Sequence, residues 1–171
     1  ARGELVVLGA NALFNPHILL RSGLDHVLLG KQLHEQVSVR ATIDLDGVDN
    51  FQGSTSITGH GYMLYDGAHR AQRAGCLIES WNVPSLRLER GKWRQRLVLK
   101  FMFEDLPDAK NYVRVHRDNP ALPETVYRGH SDYAQRGLDA LPQLLPELLN
   151  ALPVEKFVLD ERPGTTENHI L

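Results

Sequence analysis

Alternation of apolar and polar side chains over residues 37–45 constrains the fold of this chain more than any other feature. The apolar members are Val37, Val39, Ala41, Ile43 and Leu45, and the residues between them are Ser38, Arg40, Thr42 and Asp44. Side chains of a strand point to opposite faces in turn, so a period of two predicts a strand with one buried and one wet face. One wet face is typical of an antiparallel sheet.

Further segments have strand composition and are separated by turn residues. They are residues 54–64, 76–81, 94–104, 112–116 and 125–128, with residues 156–159 as a candidate for one more. Together they predict an α+β fold with a mostly antiparallel sheet of about five or six strands and helices on one face. Trp81, Trp93, Phe101 and Phe103 are candidates for a pocket lining, but alternating aromatic residues in a sheet favour the core.

Two segments carry helical start and stop signals. Asn15 as N-cap, Pro16 at the first helical position and Gly23 just past the end predict a short helix. Asp132, with Gln135 three residues later as in a capping box, opens a longer helical pattern of leucines that reaches residue 152. Two prolines inside this pattern predict a kink or a split.

A fully apolar run precedes the first helix. Residues 5–8 read Leu-Val-Val-Leu. A segment that is apolar on both sides suits a strand covered on both faces, as in a parallel sheet, whereas the other strand patterns are antiparallel. We therefore expect an orphan strand, whose partner strands belong to a sheet that these residues do not contain.

Composition and charge exclude several classes of protein. The net charge is −2, from 19 basic and 21 acidic residues interleaved along the chain, so there is no basic field to attract nucleic acid. No apolar run is long enough to span a membrane. Cys76 is the only cysteine, and the eight histidines are too far apart in sequence to pair as ligands, so no disulfide or metal site is predicted. A single cysteine is compatible with a reducing compartment, which favours a cytoplasmic location.

The signatures of phosphate binding and of serine hydrolysis are both incomplete. Gly59-His60-Gly61 begins a Gly-x-Gly-x-x-Gly pattern, but Leu64 stands where the third glycine should fall. His130-Ser131-Asp132 has the residue types of a hydrolase triad. Triads assemble from separate segments, and adjacent residues at a helix start favour capping, so a hydrolase remains only a rival hypothesis.

Residues 9–24 read Gly-Ala-Asn-Ala-Leu-Phe-Asn-Pro-His-Ile-Leu-Leu-Arg-Ser-Gly-Leu. This segment resembles the second signature of the glucose-methanol-choline family of FAD-dependent oxidoreductases, in which an apolar strand and a small-residue turn lead into Ser-Pro, two aliphatic residues and Ser-Gly. Asn11, Asn15 and Asp25 depart from the residues usual in that family. The family's strand and turn lie against the flavin, so the resemblance implies flavin contacts for Gly9, Ala10, Asn11, Ala12, Asn15 and Pro16.

Three other segments resemble the same family. Residues 30–36 stand where the family usually has Gly-Lys/Arg-Asn-Leu-x-Asp-His, although Gln32, Glu35 and Gln36 differ from it. Residues 104–107 with 111–113 are a weaker match to a stretch of its substrate domain. The last five residues, Glu-Asn-His-Ile-Leu, resemble the start of the family's catalytic motif, and this resemblance implies that His169 is the active-site histidine. An imidazole, with an ordinary pKa of about 6.5, can accept the hydroxyl proton of an alcohol whose hydride goes to FAD.

The resemblance implies the substrate-facing part of an enzyme that oxidises a primary or secondary alcohol, such as a sugar or other polyol. Residues 1–30 would close the FAD-binding, Rossmann-like domain, residues 31–160 would form the substrate-binding domain, and residues 161–171 would be the loop with the catalytic histidine. The remaining FAD-binding polypeptide of the same enzyme would be the partner, so the 171 residues alone are expected to be colourless and inactive. Substrate-binding residues are not assigned. The alternative is a free-standing small-ligand binding module that uses the sheet without redox chemistry.

Overall fold

The computed structural model describes residues 3–53, 57–159 and 165–166, and it has the predicted α+β fold. In chain order the elements are α1 (Asn11–Arg21), β1 (Val37–Leu45), β2 (Ile57–Gly61), a 3-10 helix (Ala68–Ala71), β3 (Cys76–Trp81), β4 (Arg96–Phe103), β5 (Tyr112–Val115), β6 (Pro123–Val126), α2 (Asp132–Leu148), β7 (Val154–Leu159) and β8 (Thr165–Thr166). Among these residues, 3–35 and 106–131 form one compact unit and the rest form a second. The predicted domain boundaries at residues 30 and 160 concern function and not compactness, and they stay a prediction.

The second unit is an antiparallel sheet packed against α2. Its strand order is β2-β3-β4-β1-β7, and β8 pairs with β1 as a sixth strand. In the centre of the sheet, Ala41 of β1 lies opposite Leu99 of β4 on one side and Leu159 of β7 on the other. The predicted sheet, with its helix on one face, is confirmed.

The core lies between α2 and one face of this sheet. Its fully buried members include Val37, Ala41, Ile43, Phe101, Phe103, Ala134, Leu141 and Leu145. The prediction that the alternate residues of β1 are wet is wrong for Ser38 and Asp44, which are 3% and 2% exposed. The reason is that β1 is an inner strand, so side chains of β4 and β7 cover it; Arg96 and Lys156, for example, both contact the Asp44 carboxylate.

Helix α2 is continuous over 17 residues, so the two prolines do not split it. Pro142 and Pro146 each lack the N–H that would continue the helical ladder. They are one turn apart and both exposed, whereas Leu138, Leu141 and Leu145 are buried against the sheet. Burial of this apolar stripe offsets the loss of two internal hydrogen bonds, since each buried leucine contributes about 1.5–3 kcal/mol.

The first unit combines α1 with the antiparallel hairpin of β5 and β6. The predicted stop of α1 is confirmed: Gly23 has a φ of 77° and follows the last turn. Its N–H donates to the Leu20 carbonyl, and the Leu24 N–H donates to the Leu19 carbonyl. This is a Schellman motif, which requires a left-handed residue at the Gly23 position.

The predicted strand at residues 5–8 is not formed within the described residues, which provide no strand to pair with it. Leu5, Val6 and Val7 are 81%, 55% and 81% exposed. An isolated strand leaves its backbone N–H and C=O groups to water and its apolar side chains unburied. The expectation that its partner strands lie in another stretch of polypeptide stays a prediction.

Candidate functional site

The six residues implied to contact a flavin lie at the start of α1. The helix begins four residues before the predicted N-cap, so the assignment of that role to Asn15 is wrong. Asn11 performs it instead: its φ is 71°, and its Oδ1 accepts the N–H groups of Leu13 and Phe14 at 2.9 and 3.0 Å. Asparagine tolerates this left-handed backbone better than most residues, and its side chain satisfies two N–H groups that the helix leaves unpaired.

The second asparagine secures the turn before the helix. Asn15 Oδ1 accepts the Ala10 N–H at 2.8 Å, so both asparagine oxygens are engaged locally. Neither Nδ2 group makes a hydrogen bond to any described residue. The turn therefore carries two amide donors, and it follows the exposed apolar residues 5–7 in the sequence. A planar ring with hydrogen-bond acceptors along its edge, such as a flavin, fits that donor set.

Ala12 and Pro16 line a pocket together with residues 30–34. Its volume is about 370 Å³, near the lower end of the usual range for ligand sites. We call it the α1 pocket, and its other lining residues are Gly30, Lys31, Gln32, Leu33, His34, Pro107 and Val113. Residues 9–16 and 30–34, which resemble the family separately in sequence, are thus neighbours within the first unit.

The wall of the α1 pocket that residues 30–34 form is tightly built. Gly30 has a φ of 74°, and a Cβ there would lie 2.3 Å from the Val113 carbonyl oxygen, so only glycine fits. Gln32 has a φ of 63°, which is uncommon for a residue with a long side chain. The His34 Nδ1 lies 2.9 Å from the Gln32 carbonyl oxygen, which orients the imidazole. Sparsely populated backbone conformations of this kind concentrate at ligand sites.

His169, the predicted catalytic base, lies outside the described residues. The catalytic role stays a prediction that rests on the resemblance.

The second unit has a row of charged side chains across the sheet face opposite α2. Register places His60 of β2 opposite Glu79 of β3, Glu79 opposite Lys100 of β4, and Lys100 opposite Arg40 of β1. We call these four residues the charged row. His60 Nε2 lies 3.6 Å from Glu79 Oε1, and the Glu79 side chain is only 10% exposed. The row holds one carboxylate, two permanent cations and one histidine.

Trp81 lies beside the charged row, which corrects its predicted place in the core. The Lys100 Nζ is 4.7 Å from the indole centroid, and the Arg40 guanidinium carbon is 5.2 Å from it. The indole N–H donates to Glu79 Oε2 at 3.3 Å. The core prediction is right for Phe101 and Phe103, which lie on the α2 face, and wrong for Trp93, which is 62% exposed.

Sequence reasoning did not assign the charged row. Residues two apart in a strand share a face, so the sequence alone places Glu79 and Trp81 on one face of β3. In the same way it places Lys100 and Arg96 on one face of β4. The register between strands is needed to bring His60, Glu79, Lys100 and Arg40 into one line, and a shift of one residue would move a whole strand's side chains to the other face.

A second ionic cluster lies further along the same face. The Asp44 carboxylate accepts the Arg96 Nε at 2.7 Å and the Arg96 Nη2 at 3.3 Å, and the Lys156 Nζ lies 3.3 Å away. Burial by itself would raise the pKa of Asp44, but the hydrogen bonds and charges of Arg96, Lys156 and Arg87 outweigh it, so the pKa lies below its ordinary value. The carboxylate therefore stays ionised and holds β1, β4 and β7 together.

The hydrolase hypothesis gains no geometric support. The His130 Nε2 is enclosed and makes no hydrogen bond, and the ring packs edge-on against Tyr127 with centroids 5.9 Å apart. A triad would need one imidazole nitrogen on the serine hydroxyl and the other on the aspartate. Asp132 is the first residue of α2, a position where a carboxylate favours the helix dipole.

Within the part of the chain that the structure describes, no three His, Cys, Asp or Glu side chains are grouped so that they could hold a metal ion. Neither helix of that part is long and apolar enough to cross a membrane. No protein-family model and no curated protein matches the chain.

Proposed function

We propose that this chain is the substrate-facing part of an FAD-dependent alcohol oxidoreductase of the glucose-methanol-choline type. The observation that carries the proposal is the α1 pocket, where residues 9–16 and 30–34 meet in one unit. These two segments carry the sequence resemblance independently. Their proximity is what a shared site would require.

The residues of this chain would have separate roles in the proposed reaction. Asn11 and Asn15 would donate their Nδ2 hydrogens to the edge of the flavin, and Ala12 and Pro16 would give that edge an apolar boundary. His169 would accept the hydroxyl proton on an imidazole nitrogen while the alcohol carbon loses a hydride, so a neutral carbonyl product remains. Bound FAD would supply the acceptor for that hydride.

Exposed apolar side chains of the first unit support a partner polypeptide. Those with more than a third of their surface exposed are Leu5, Val6, Val7, Phe14, Ile18, Leu24, Val27 and Leu28. So many exposed large apolar side chains within residues 5–28 support a surface that another stretch of protein would cover. In the proposed enzyme this is the remaining FAD-binding polypeptide.

A binding module without redox chemistry is the second candidate. The charged row favours it, because a polar surface on a rigid sheet can hold a small ligand without any cofactor. The two candidates differ in one property: only the oxidoreductase requires a flavin.

Flavin content therefore tests the proposal. The protein that contains this chain at its natural length is expected to purify with the visible absorption of an oxidised flavin that survives gel filtration. The 171 residues alone are expected to be colourless. Replacement of both Asn11 and Asn15 by Ala should weaken flavin retention in the longer protein, whereas Asn119→Ala, in the hairpin turn, serves as a matched control. A longer protein that never acquires flavin would leave the binding module as the function.

A further inference from the structure

A pocket of about 390 Å³ lies in the second unit, where the loop between β1 and β2 meets the loop between β3 and β4. Among the described residues it is lined by Asp49, Arg90, Gly91, Trp93 and Arg94. We propose that this pocket, which we call the arginine pocket, binds a small aromatic carboxylate. It shares no described residue with the α1 pocket, so it is a site beyond the proposed alcohol oxidation.

The polar groups of the arginine pocket have no partner among the described residues. The side chains of Asp49, Arg90 and Arg94 are exposed and make no hydrogen bond or ion pair there. The indole N–H of Trp93 is equally unengaged, and this residue is 62% exposed. The pocket therefore offers two guanidinium groups, one ring N–H and one flat aromatic surface to a ligand.

The charged side chains next to the pocket in sequence are paired with one another instead. Arg87 is 3% exposed and forms ion pairs with Glu89 and Glu155. The Lys92 Nζ lies 2.9 Å from Glu155 Oε2 and 3.6 Å from Glu89 Oε1. These four side chains fix the loop, and they leave anion binding to the two arginines of the pocket.

Backbone hydrogen bonds hold the two loops of the pocket together. The Arg87 N–H donates to the Trp93 carbonyl at 3.1 Å and closes a hairpin over residues 87–93. The Asn50 N–H donates to the Arg94 carbonyl at 2.8 Å and joins this hairpin to the loop that carries Asp49. Gly91, near the tip, has a φ of 79°, which glycine adopts freely. A frame that is built before the ligand arrives lowers the cost of ordering it on binding.

The lining side chains select the ligand by charge and by shape. The planar forks of Arg90 and Arg94 match the two oxygens of a carboxylate. The indole of Trp93 offers a face on which an aromatic ring stacks in an offset arrangement. Asp49 limits the charge, because its carboxylate repels a doubly charged phosphate more strongly than a singly charged carboxylate.

The experiment is a titration of the 171-residue chain with four small probes, followed by calorimetry and by tryptophan fluorescence. Benzoate is expected to bind saturably. Benzyl alcohol keeps the ring and lacks the charge, so it should bind about tenfold more weakly, which is the effect of one charge-assisted hydrogen bond. Cyclohexanecarboxylate keeps the charge and lacks the planar ring, so it should bind about two- to tenfold more weakly. Phenyl phosphate should also bind more weakly than benzoate.

Variants assign these preferences to the arginine pocket. Arg90→Met and Arg94→Met should each reduce the preference for benzoate over benzyl alcohol. Arg117→Met is the matched control, because Arg117 is an exposed arginine of the first unit. Asp49→Asn should raise the affinity for phenyl phosphate more than the affinity for benzoate. All these side chains are exposed, so their replacement should leave the fold intact.

Trp93 provides the readout, since Trp81 is the only other indole in the chain. Trp93→Leu should lose both the fluorescence response and the preference for the aromatic ring. In the unsubstituted chain, raising the salt concentration about tenfold should weaken benzoate and leave benzyl alcohol unaffected, because screening acts on charge.

Three outcomes would overturn the aromatic carboxylate assignment. They are the absence of saturable benzoate binding, equal affinities for benzoate and benzyl alcohol or tighter binding of phenyl phosphate, and a loss with Arg117→Met as large as with Arg90→Met. Flavin retention by the longer protein depends on different residues. Either site can therefore fail its test without the other.

Discussion

Replacing Asp44 by Asn should destabilise the second unit because the buried carboxylate holds three strands together. Its side chain is 3% exposed, and it accepts two hydrogen bonds from Arg96 and contacts Lys156. Removing one partner of a buried ion pair typically costs about 3–5 kcal/mol. Lys156 is 62% exposed and Arg96 is 22% exposed, so water screens part of this interaction. We therefore expect a loss of about 2–3 kcal/mol in the free energy of unfolding at neutral pH.

The pH dependence gives this prediction a sign. The folded-state pKa of Asp44 lies below the ordinary value of 3.8, so its contribution is complete above that value and is lost as the pH falls through the folded pKa. The difference between Asp44→Asn and the parent chain should therefore be largest at neutral pH and shrink as the pH falls below 3.8.

Urea denaturation followed by circular dichroism at several pH values measures both effects. Asp118→Asn is the matched control, because Asp118 is an exposed residue of a hairpin turn and its replacement should change stability by less than about 0.5 kcal/mol. A loss below about 1 kcal/mol for Asp44→Asn at neutral pH, or a loss independent of pH, would refute the view that this carboxylate is a buried anchor.

Three further predictions concern packing, capping and reactivity. Gly137→Ala should gain about 1 kcal/mol of helix propensity. However, the new Cβ would lie 2.7 Å from Phe103 Cδ1 and 3.0 Å from Ala74 Cβ, so thermal denaturation should show a net loss of roughly 1 kcal/mol in stability. A stabilised variant would contradict this packing. Asn11→Ala removes two capping hydrogen bonds at a residue with left-handed backbone angles, and it should lower the free energy of unfolding by about 1–2 kcal/mol. Asn11→Gly should cost less, because glycine adopts these backbone angles freely. Equal losses for the two variants would show that the backbone conformation is unimportant. Burial raises the pKa of the Cys76 thiol, so this residue should resist a thiol reagent at mildly alkaline pH until the chain unfolds, and rapid labelling of the native chain would count against its buried position.

The sequence predicts the strands of this fold well because their signal is local. The bounds of β3 agree with the prediction at both ends, and those of β4 differ by two residues at the start and one at the end. Alternation encodes a half-buried strand directly, and Gly23 marks the end of α1 because few other residues adopt its backbone angles. These features need no information from distant residues.

Other features could not be read locally. Asn15-Pro16 is a good start signal, but Asn11 outcompetes it because a left-handed asparagine can cap the helix four residues earlier. The solvent exposure of the polar face of β1 depends on which strands flank it. Those neighbours come from residues 96–103 and 154–159, which are far away in the sequence. The charged row depends on register across four strands. For the same reason the α1 pocket could not be predicted: it forms where residues 12–16, 30–34 and 107–113 meet.

The proposed role of His169 as the base in alcohol oxidation is tested most directly by single-turnover reduction of the proposed flavin. The proposed flavoenzyme would be mixed without oxygen with an excess of alcohol, and the absorption of the flavin would be followed over time. We expect the band to bleach, and we expect His169→Asn to slow bleaching by about a hundredfold or more, while His26→Asn leaves the rate unchanged. Bleaching at an unchanged rate in His169→Asn, or no bleaching with any alcohol, would contradict it.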